Sequence, residues 1–98
     1  MFIRRDIPLE HQMVQAAHGA LEAGIKFPYK TAEPSSLIMI GVKNQAALEK
    51  AEAYLNSLGI ETAMFFEPSW EYGNTSFGTR PLLEDERQHL RKYQLWKP

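Results

Sequence analysis

The sequence LIMIGV at residues 37–42 constrains the fold of this 98-residue chain more than any other feature. It has the length of a strand and is almost wholly apolar, which is typical of a strand covered on both faces. Such a strand requires helices on both sides of its sheet. The run therefore predicts an α/β fold, and the chain length suits one compact domain that spans residues 1–98.

Strand-like and helical patterns alternate along the rest of the chain. We predict strands at residues 1–5, 37–42, 60–67 and 74–80, helices at 9–23 and 45–58, and a final helix after Pro81. Asp6 and Asn44 are expected to cap the first two helices, and Gly24 and Gly59 to end them. Residues 25–36 contain two prolines and are expected to form a loop.

The lengths of the connections predict a mixed sheet. Helices separate the first three strands, and strand–helix–strand units favour parallel pairing. Only residues 68–73 join the third strand to the fourth, and so short a connection favours an antiparallel pair. In the last segment acidic residues precede basic ones, which suits the dipole of a helix, and Tyr93 and Trp96 are expected to anchor the tail by packing.

The first helix carries an unusual polar stripe. Four polar residues fall within roughly 60° of arc at about 100° per residue: His11, Gln15, His18 and Glu22. The opposite side is apolar, with Met13, Val14, Ala17, Ala20 and Leu21. Small residues are expected to permit close approach of the helix to a sheet: Ala16, Ala17, Gly19 and Ala20. Two imidazoles and a carboxamide offer hydrogen bonding and proton transfer near neutral pH, whereas a merely solvated polar side is the alternative interpretation.

Composition removes several kinds of chemistry. The chain has no cysteine, which excludes disulfides, thiol nucleophiles and cysteine-based zinc sites. His11 and His18 lie about two helical turns apart, too far to hold one metal ion from a single helix, and neither a metal nor a cofactor is expected. The formal net charge of −1 argues against non-specific coating of nucleic acid.

The sequence also predicts a cellular location. No run approaches the ~18 apolar residues of a membrane span, and residues 1–6 lack an apolar signal region. We therefore expect a cytoplasmic protein with no membrane partner.

A candidate site is predicted at one edge of the sheet. Ligands of open sheets bind beyond the carboxyl ends of parallel strands. That edge should gather the turn at Arg5 and Asp6, His11 at the amino end of the first helix, Glu67 at the end of the third strand, and Thr75 early in the fourth. The N–H groups of the helix end suit a phosphate or a developing oxyanion.

The roles of these residues are open at this point. Partial burial would raise the pKa of Glu67 and make it a usable general base, and His11 is either a second candidate base or a plain surface imidazole. Gln15 orients water or substrate, or it braces the helix against a loop. Thr75 and Asn74 can hydrogen-bond a substrate. Trp70 and Tyr72 can stack on a nucleobase or pack on their own domain.

The order of the motifs resembles that of type II peptidyl-tRNA hydrolases. The chain has RRD at residues 4–6, QAAHGAL at 15–21, an apolar strand, a helix that ends in LGI at 58–60, a strand that ends in an acid, and TSFGTRP at 75–81. The likeness spans about residues 1–82 and is greatest to a divergent short branch with a Gln-x-x-Gln-x-x-His helix and a Glu-Pro turn. Leu9 and His11 stand where the family usually has lysines, and Glu67 replaces its usual aspartate.

The resemblance implies a three-layer α/β/α sandwich with a four-stranded mixed sheet, whose last strand is antiparallel and lies between the first and the third. It also implies metal-independent hydrolysis of the ester between a peptide and the ribose of tRNA, with water as nucleophile. The residues that match the family's motifs are Glu67, Thr75, Gln15 and His18. Together with the sheet-edge argument above, this predicts Glu67, Thr75, Gln15 and His11 as catalytic and Asp6, His18, Arg5 and Asn74 as substrate-binding. The resemblance further implies a homodimer.

A second hypothesis is a binding module that kept the fold and lost the chemistry. It would contact RNA or a protein partner through the loop of Trp70 and Tyr72 or through the tail at Tyr93 and Trp96. The missing lysine and the near-neutral charge favour this alternative. A hydrolase that acts on another acyl ester or amide is a third hypothesis.

Overall fold

The protein is an α/β domain in which two helices pack on a small mixed sheet. A computed structural model describes residues 1–28 and 36–98. The main elements are β1 (Phe2–Arg4), α1 (Leu9–Lys26), β2 (Ile40–Val42), α2 (Gln45–Ser57), β3 (Thr62–Glu67) and β4 (Gly73–Thr79). Short 3-10 helices cover Ser69–Glu71 and Glu84–Leu90. The α/β class is therefore confirmed.

The sheet has the strand order β2-β1-β4-β3. β1 and β2 pair in parallel, whereas β4 pairs antiparallel with both β1 and β3. The prediction of a mixed sheet is confirmed, and β4 lies between the first and third strands. Because β1, β2 and β3 all run in one direction, their carboxyl ends lie at the same edge as the beginning of β4.

Consecutive residues of β4 contact different helices. The Phe77 ring stacks on Phe2, with 4.5 Å between ring centroids, and both belong to a core cluster that includes Leu48 and Leu55 of α2. Ser76, on the other side of the strand, donates a hydrogen bond to the backbone of α1. The apolar core therefore lies between the sheet and α2, and the contact with α1 is more polar.

A β-bulge changes this alternation where the candidate site begins. Phe65 pairs with Ser76 and Phe66 pairs with Asn74, so Thr75 has no partner on β3. An extra residue in a strand redirects its neighbours. As a result, Thr75 and Ser76 both reach Gln15 of α1, with hydrogen bonds of 2.6 and 2.7 Å.

The side of α1 that faces the sheet coincides with only part of the polar stripe: Gln15 is buried and His11 is half-buried, whereas His18 and Glu22 are exposed. The buried residues of this helix are Gln12, Gln15, Ala16 and Gly19. The apolar side is exposed, including Met13, Val14 and Leu21, and the expectation that Ala17 and Ala20 approach the sheet is wrong. The buried orientation is stable because every polar group that it carries inward finds a partner, and because Gly19 permits close approach to Ser76.

The first helix differs from its predicted boundaries. It continues through Gly24 to Lys26, so the predicted loop at 25–36 begins later, and the remainder of that prediction lies mostly outside the described residues. Pro8 occupies the N-cap position without a side-chain cap, because Asp6 instead accepts two hydrogen bonds from Arg4. At α2 the prediction is confirmed: Asn44 accepts from the N–H of Ala47 at 2.9 Å.

The C-terminal segment covers the outer edge of β2. Regular β2 spans only Ile40–Val42, shorter than the predicted strand, and Leu95 forms an antiparallel bridge with Ile40. The Tyr93 ring meets the Phe2 ring edge-on, which confirms its packing role, and the Trp96 indole donates to Gln12 at 2.8 Å. The helix predicted after Pro81 is a 3-10 helix rather than an α-helix.

Candidate active site

A chain of hydrogen bonds links β4, α1 and the end of β3. The hydroxyl of Thr75 donates to Gln15 Oε1 at 2.6 Å, and Gln15 Nε2 donates to Glu67 Oε1 at 2.8 Å. Thr75 and Gln15 are almost wholly buried, whereas Glu67 is half-buried. Two buried residues therefore fix the position of a carboxylate that solvent can reach.

The environment of Glu67 favours its ionised form. Hydrogen bonds from the Gln15 side chain and from the Ser69 backbone lower its pKa below the usual value, against a smaller opposing effect of burial. The sequence-based expectation of a raised pKa is therefore wrong, because the same fold that half-buries the carboxylate supplies it with donors. Glu67 is a weak base that is fully ionised at neutral pH.

Gln15→Leu is expected to raise the pKa of Glu67 towards its usual value near 4.5, because the Gln15 hydrogen bond is the largest cause of its lowering. Since the pKa is depressed in the fold, this bond stabilises the protein above about pH 4.5 and the contribution is lost as the pH falls through the folded pKa. A ¹³C NMR titration of the carboxyl groups measures the Glu67 pKa in the wild type and in the variant. Glu61, at the other end of the strand, is the internal control, and an unchanged Glu67 pKa would contradict the assignment.

His11 belongs to an aromatic group beside this carboxylate. Its Nδ1 lies 2.6 Å from the Tyr72 hydroxyl, and its ring centroid is 4.7 Å from that of Trp70. The turn that carries Trp70 is tied to the site because the N–H of Ser69 donates to Glu67 Oε2 at 3.1 Å. His11 is therefore placed at the predicted edge, hydrogen-bonded to Tyr72 rather than to Glu67.

His18 lies on the other side of Gln15. Its ring stacks on Phe65 of β3, with 4.5 Å between centroids and 2° between planes, and its side chain is exposed. Its charge makes a small contribution to the lowered pKa of Glu67. His18 is thus close enough to influence the carboxylate, and its stacking fixes the direction of its ring nitrogens.

Arg4 is a site residue that sequence reasoning did not select. Arg4 is 9% exposed. Its guanidinium donates two hydrogen bonds to Asp6 and others to the backbone carbonyls of Tyr72 and Asn74. It therefore holds the loop between β3 and β4 against the end of β1. A usable signal was present, because alternation along β1 places Arg4 on the same side as the core residue Phe2.

Two predicted substrate-binding residues point elsewhere. Arg5 donates to Gln94 of the C-terminal segment at 2.9 Å, and Asn74 donates to Glu49 of α2 at 2.9 Å. The structure therefore gathers Gln15, Glu67 and Thr75 in one hydrogen-bonded chain, without the side chains of Arg5 and Asn74. Among the described residues, Arg4 is what joins Asp6 to the site, through two hydrogen bonds.

Comparison of the chain with protein-family models, with curated proteins and with solved structures gave no significant match. Within residues 1–28 and 36–98, no three or more His, Asp or Glu side chains are grouped closely enough to hold a metal ion. None of the helices in that described part has both the length and the apolarity needed to cross a bilayer.

Proposed function

We propose that the protein is a peptidyl-tRNA hydrolase-like esterase that cleaves the ester between a peptide and the ribose of tRNA. The observation that carries the proposal is the carboxylate of Glu67, held by buried Gln15 and Thr75 and accessible to solvent. The resemblance of the motif order to type II peptidyl-tRNA hydrolases supplies the substrate. It also supplies the three-layer α/β/α assignment, with which the position of β4 between β1 and β3 agrees.

The reaction proceeds by attack of water on the ester carbonyl. Glu67 accepts a proton from the water as its oxygen bonds to the acyl carbon, and a tetrahedral oxyanion forms. The intermediate then collapses, the bond between the acyl carbon and the ribose oxygen breaks, and that oxygen takes the proton from Glu67, which returns to its ionised form. The products are a tRNA with a free ribose hydroxyl and a peptide carboxylic acid, which releases the second proton of the water to solvent and becomes a carboxylate.

The amino end of α1 is suited to the oxyanion. The first turn begins at Leu9, its first hydrogen bond within the helix comes from the N–H of Gln12 to Pro8, and no described side chain caps it. Free N–H groups at a helix end stabilise negative charge in this way. Thr75 is fully buried and donates to Gln15, so we assign it a positioning role rather than contact with the oxyanion.

A cleavage assay with purified protein and peptidyl-tRNA tests this function. We expect release of free peptide that depends on the protein, without added metal and in the presence of a chelator. Absence of release across a wide pH range, from protein whose fold is verified by circular dichroism, would overturn the proposal. A cytoplasmic location, tRNA as partner and a homodimeric state belong to the same proposal, since they come from the resemblance and the composition.

The second candidate function is a binding module without turnover. It is favoured by the lowered pKa of Glu67, since a weak base is a poor acceptor of the water proton. In the same assay this module would bind tRNA or a protein partner and leave the ester intact. A third candidate, a hydrolase of another acyl ester, would retain its activity when tRNA is added as a competitor.

A further inference from the structure

Trp70 presents an aromatic ring to solvent from a strained turn. The residue is 64% exposed, and its backbone has φ 55° and ψ 18°. Glu71, the next residue, also has φ 55°. Two consecutive side-chain-bearing residues in the left-handed region are unusual, and such strain is found at sites where a ligand is bound. Burial of the indole does not compensate for it here.

Neighbouring rings hold Trp70 in this position. The His11 ring lies 4.7 Å from the indole and the Tyr72 ring 5.5 Å, and the imidazole is hydrogen-bonded to the Tyr72 hydroxyl. The Arg4 guanidinium donates a hydrogen bond to the backbone carbonyl of Tyr72 and so holds this residue in place. The result is a supported aromatic surface with an open face, which we name the Trp70 platform: Trp70, His11 and Tyr72.

The Trp70 platform and the Glu67 carboxylate belong to one turn. Ser69, between them in sequence, donates its N–H to Glu67 Oε2 at 3.1 Å. In peptidyl-tRNA the reactive ester joins the ribose of the terminal nucleotide, so the base of that nucleotide is the aromatic ring of the tRNA nearest to the reaction centre. When the ester is bound at Glu67, the base of the terminal nucleotide therefore lies close to the turn that carries Trp70.

The local charge favours a nucleobase over a phosphate as the group that the Trp70 platform binds. Glu67 and Glu71 lie on either side of Trp70 in the chain and disfavour an anion there, whereas an uncharged heterocycle meets no such penalty. Aromatic side chains bind bases through their faces and tolerate any base. We propose that the Trp70 platform stacks on the nucleobase of the terminal nucleotide; this inference rests on the proposed function and names the part of the substrate bound beside the ester.

Trp70 fluorescence tests the stacking without any turnover. Adenosine 5′-monophosphate should quench Trp70 emission in a saturable manner, whereas ribose 5-phosphate, which lacks the base, should not. In Trp96→Phe, Trp70 is the only indole, and its emission should be quenched by the nucleotide. In Trp70→Phe, Trp96 is the only indole, and its emission should not respond. If Trp96→Phe does not fold, the difference between wild type and Trp70→Phe isolates the same signal. Equal quenching by both ligands, or none by either, would overturn the proposal.

Kinetics provide the second readout. Trp70→Ala is expected to raise KM for peptidyl-tRNA by about 10-fold with kcat changed less than about two-fold, because the stacking holds substrate equally in the ground and transition states. Quenching by the nucleotide without any cleavage by wild type would support the platform and refute the esterase. If the wild type cleaves peptidyl-tRNA, but the nucleotide does not quench Trp70 and Trp70→Ala leaves KM unchanged, the platform is refuted and the esterase proposal is retained.

Discussion

Glu67→Gln is expected to lower kcat for peptidyl-tRNA cleavage by about 10²- to 10⁴-fold, the range that a positioned general base supplies. The amide has nearly the shape of the carboxylate, but it is not a base at neutral pH. Gln15 and Ser69 donate to Glu67 in the folded protein, so the substitution also exchanges an ideal acceptor for a weaker one. Steady-state kinetics with peptidyl-tRNA, together with thermal unfolding of each variant, separate loss of chemistry from loss of fold.

Glu61→Gln is the matched control for that experiment. Glu61 is an exposed glutamate that immediately precedes β3, at the opposite end of the strand from Glu67. It should retain wild-type kcat. A Glu67→Gln variant as active as Glu61→Gln would eliminate Glu67 as the base and leave His11 as the remaining candidate.

Gly19→Ala is expected to destabilise the fold by about 1–3 kcal/mol, as overpacking of a close contact does. A Cβ at this position would clash with the hydroxyl of Ser76 and lie 2.8 Å from the Met1 side chain. The helix must then move away from β4, and Gln15, one turn earlier, moves with it. We therefore expect lower activity as well as lower stability, with urea unfolding as the measurement of the latter.

Two further variants make the Gly19 prediction specific. Gly24→Ala changes a glycine of the same helix with nothing described within 4 Å of the new Cβ, and should stabilise the protein by about 0.4–1 kcal/mol. Ser76→Ala removes the clashing hydroxyl, so the Gly19→Ala loss should be smaller in the Ser76→Ala background. Equal losses in both backgrounds would show that the Ser76 hydroxyl is not the group that limits the approach of the helix at this point.

Local signals in the sequence were sufficient for much of the fold. Asn44 and Gly59 mark the limits of α2 because a cap and a positive φ are local requirements, and Gly59 has φ 80°. The short connection before β4 fixed its antiparallel pairing with β3, since so few residues cannot cross a sheet. These features depend on neighbours in sequence, which is why pattern reasoning finds them.

Long-range partners decided what the sequence could not predict. The side of α1 that is buried depends on Ser76, Thr75 and Glu67, which accept or supply the hydrogen bonds of Gln15 from about 50–60 residues away. Hydropathy alone favours burial of the opposite side. The bulge that turns Thr75 inward, and the burial of Arg4 among backbone carbonyls, likewise follow from contacts between distant segments.

The candidate site was predictable at its edge but not in its interior. Strand direction placed Glu67, the beginning of β4 and the amino end of α1 together, because carboxyl ends of parallel strands share an edge. The separate orientations of Arg5 and Asn74 depend on the tail and on α2, whose side chains the pattern does not locate. The lowered pKa of Glu67 depends on donors from two other segments for the same reason.

Peptide release in ¹⁸O-labelled water tests most directly whether a water activated at Glu67 attacks the acyl carbon. Single-turnover cleavage by the wild-type chain should place one labelled oxygen in the carboxylate of the released peptide, at a rate far above that of protein-free buffer. Glu67→Gln should slow that incorporation to near the background rate. Incorporation no faster than in buffer, or equal for the two proteins, would contradict the account.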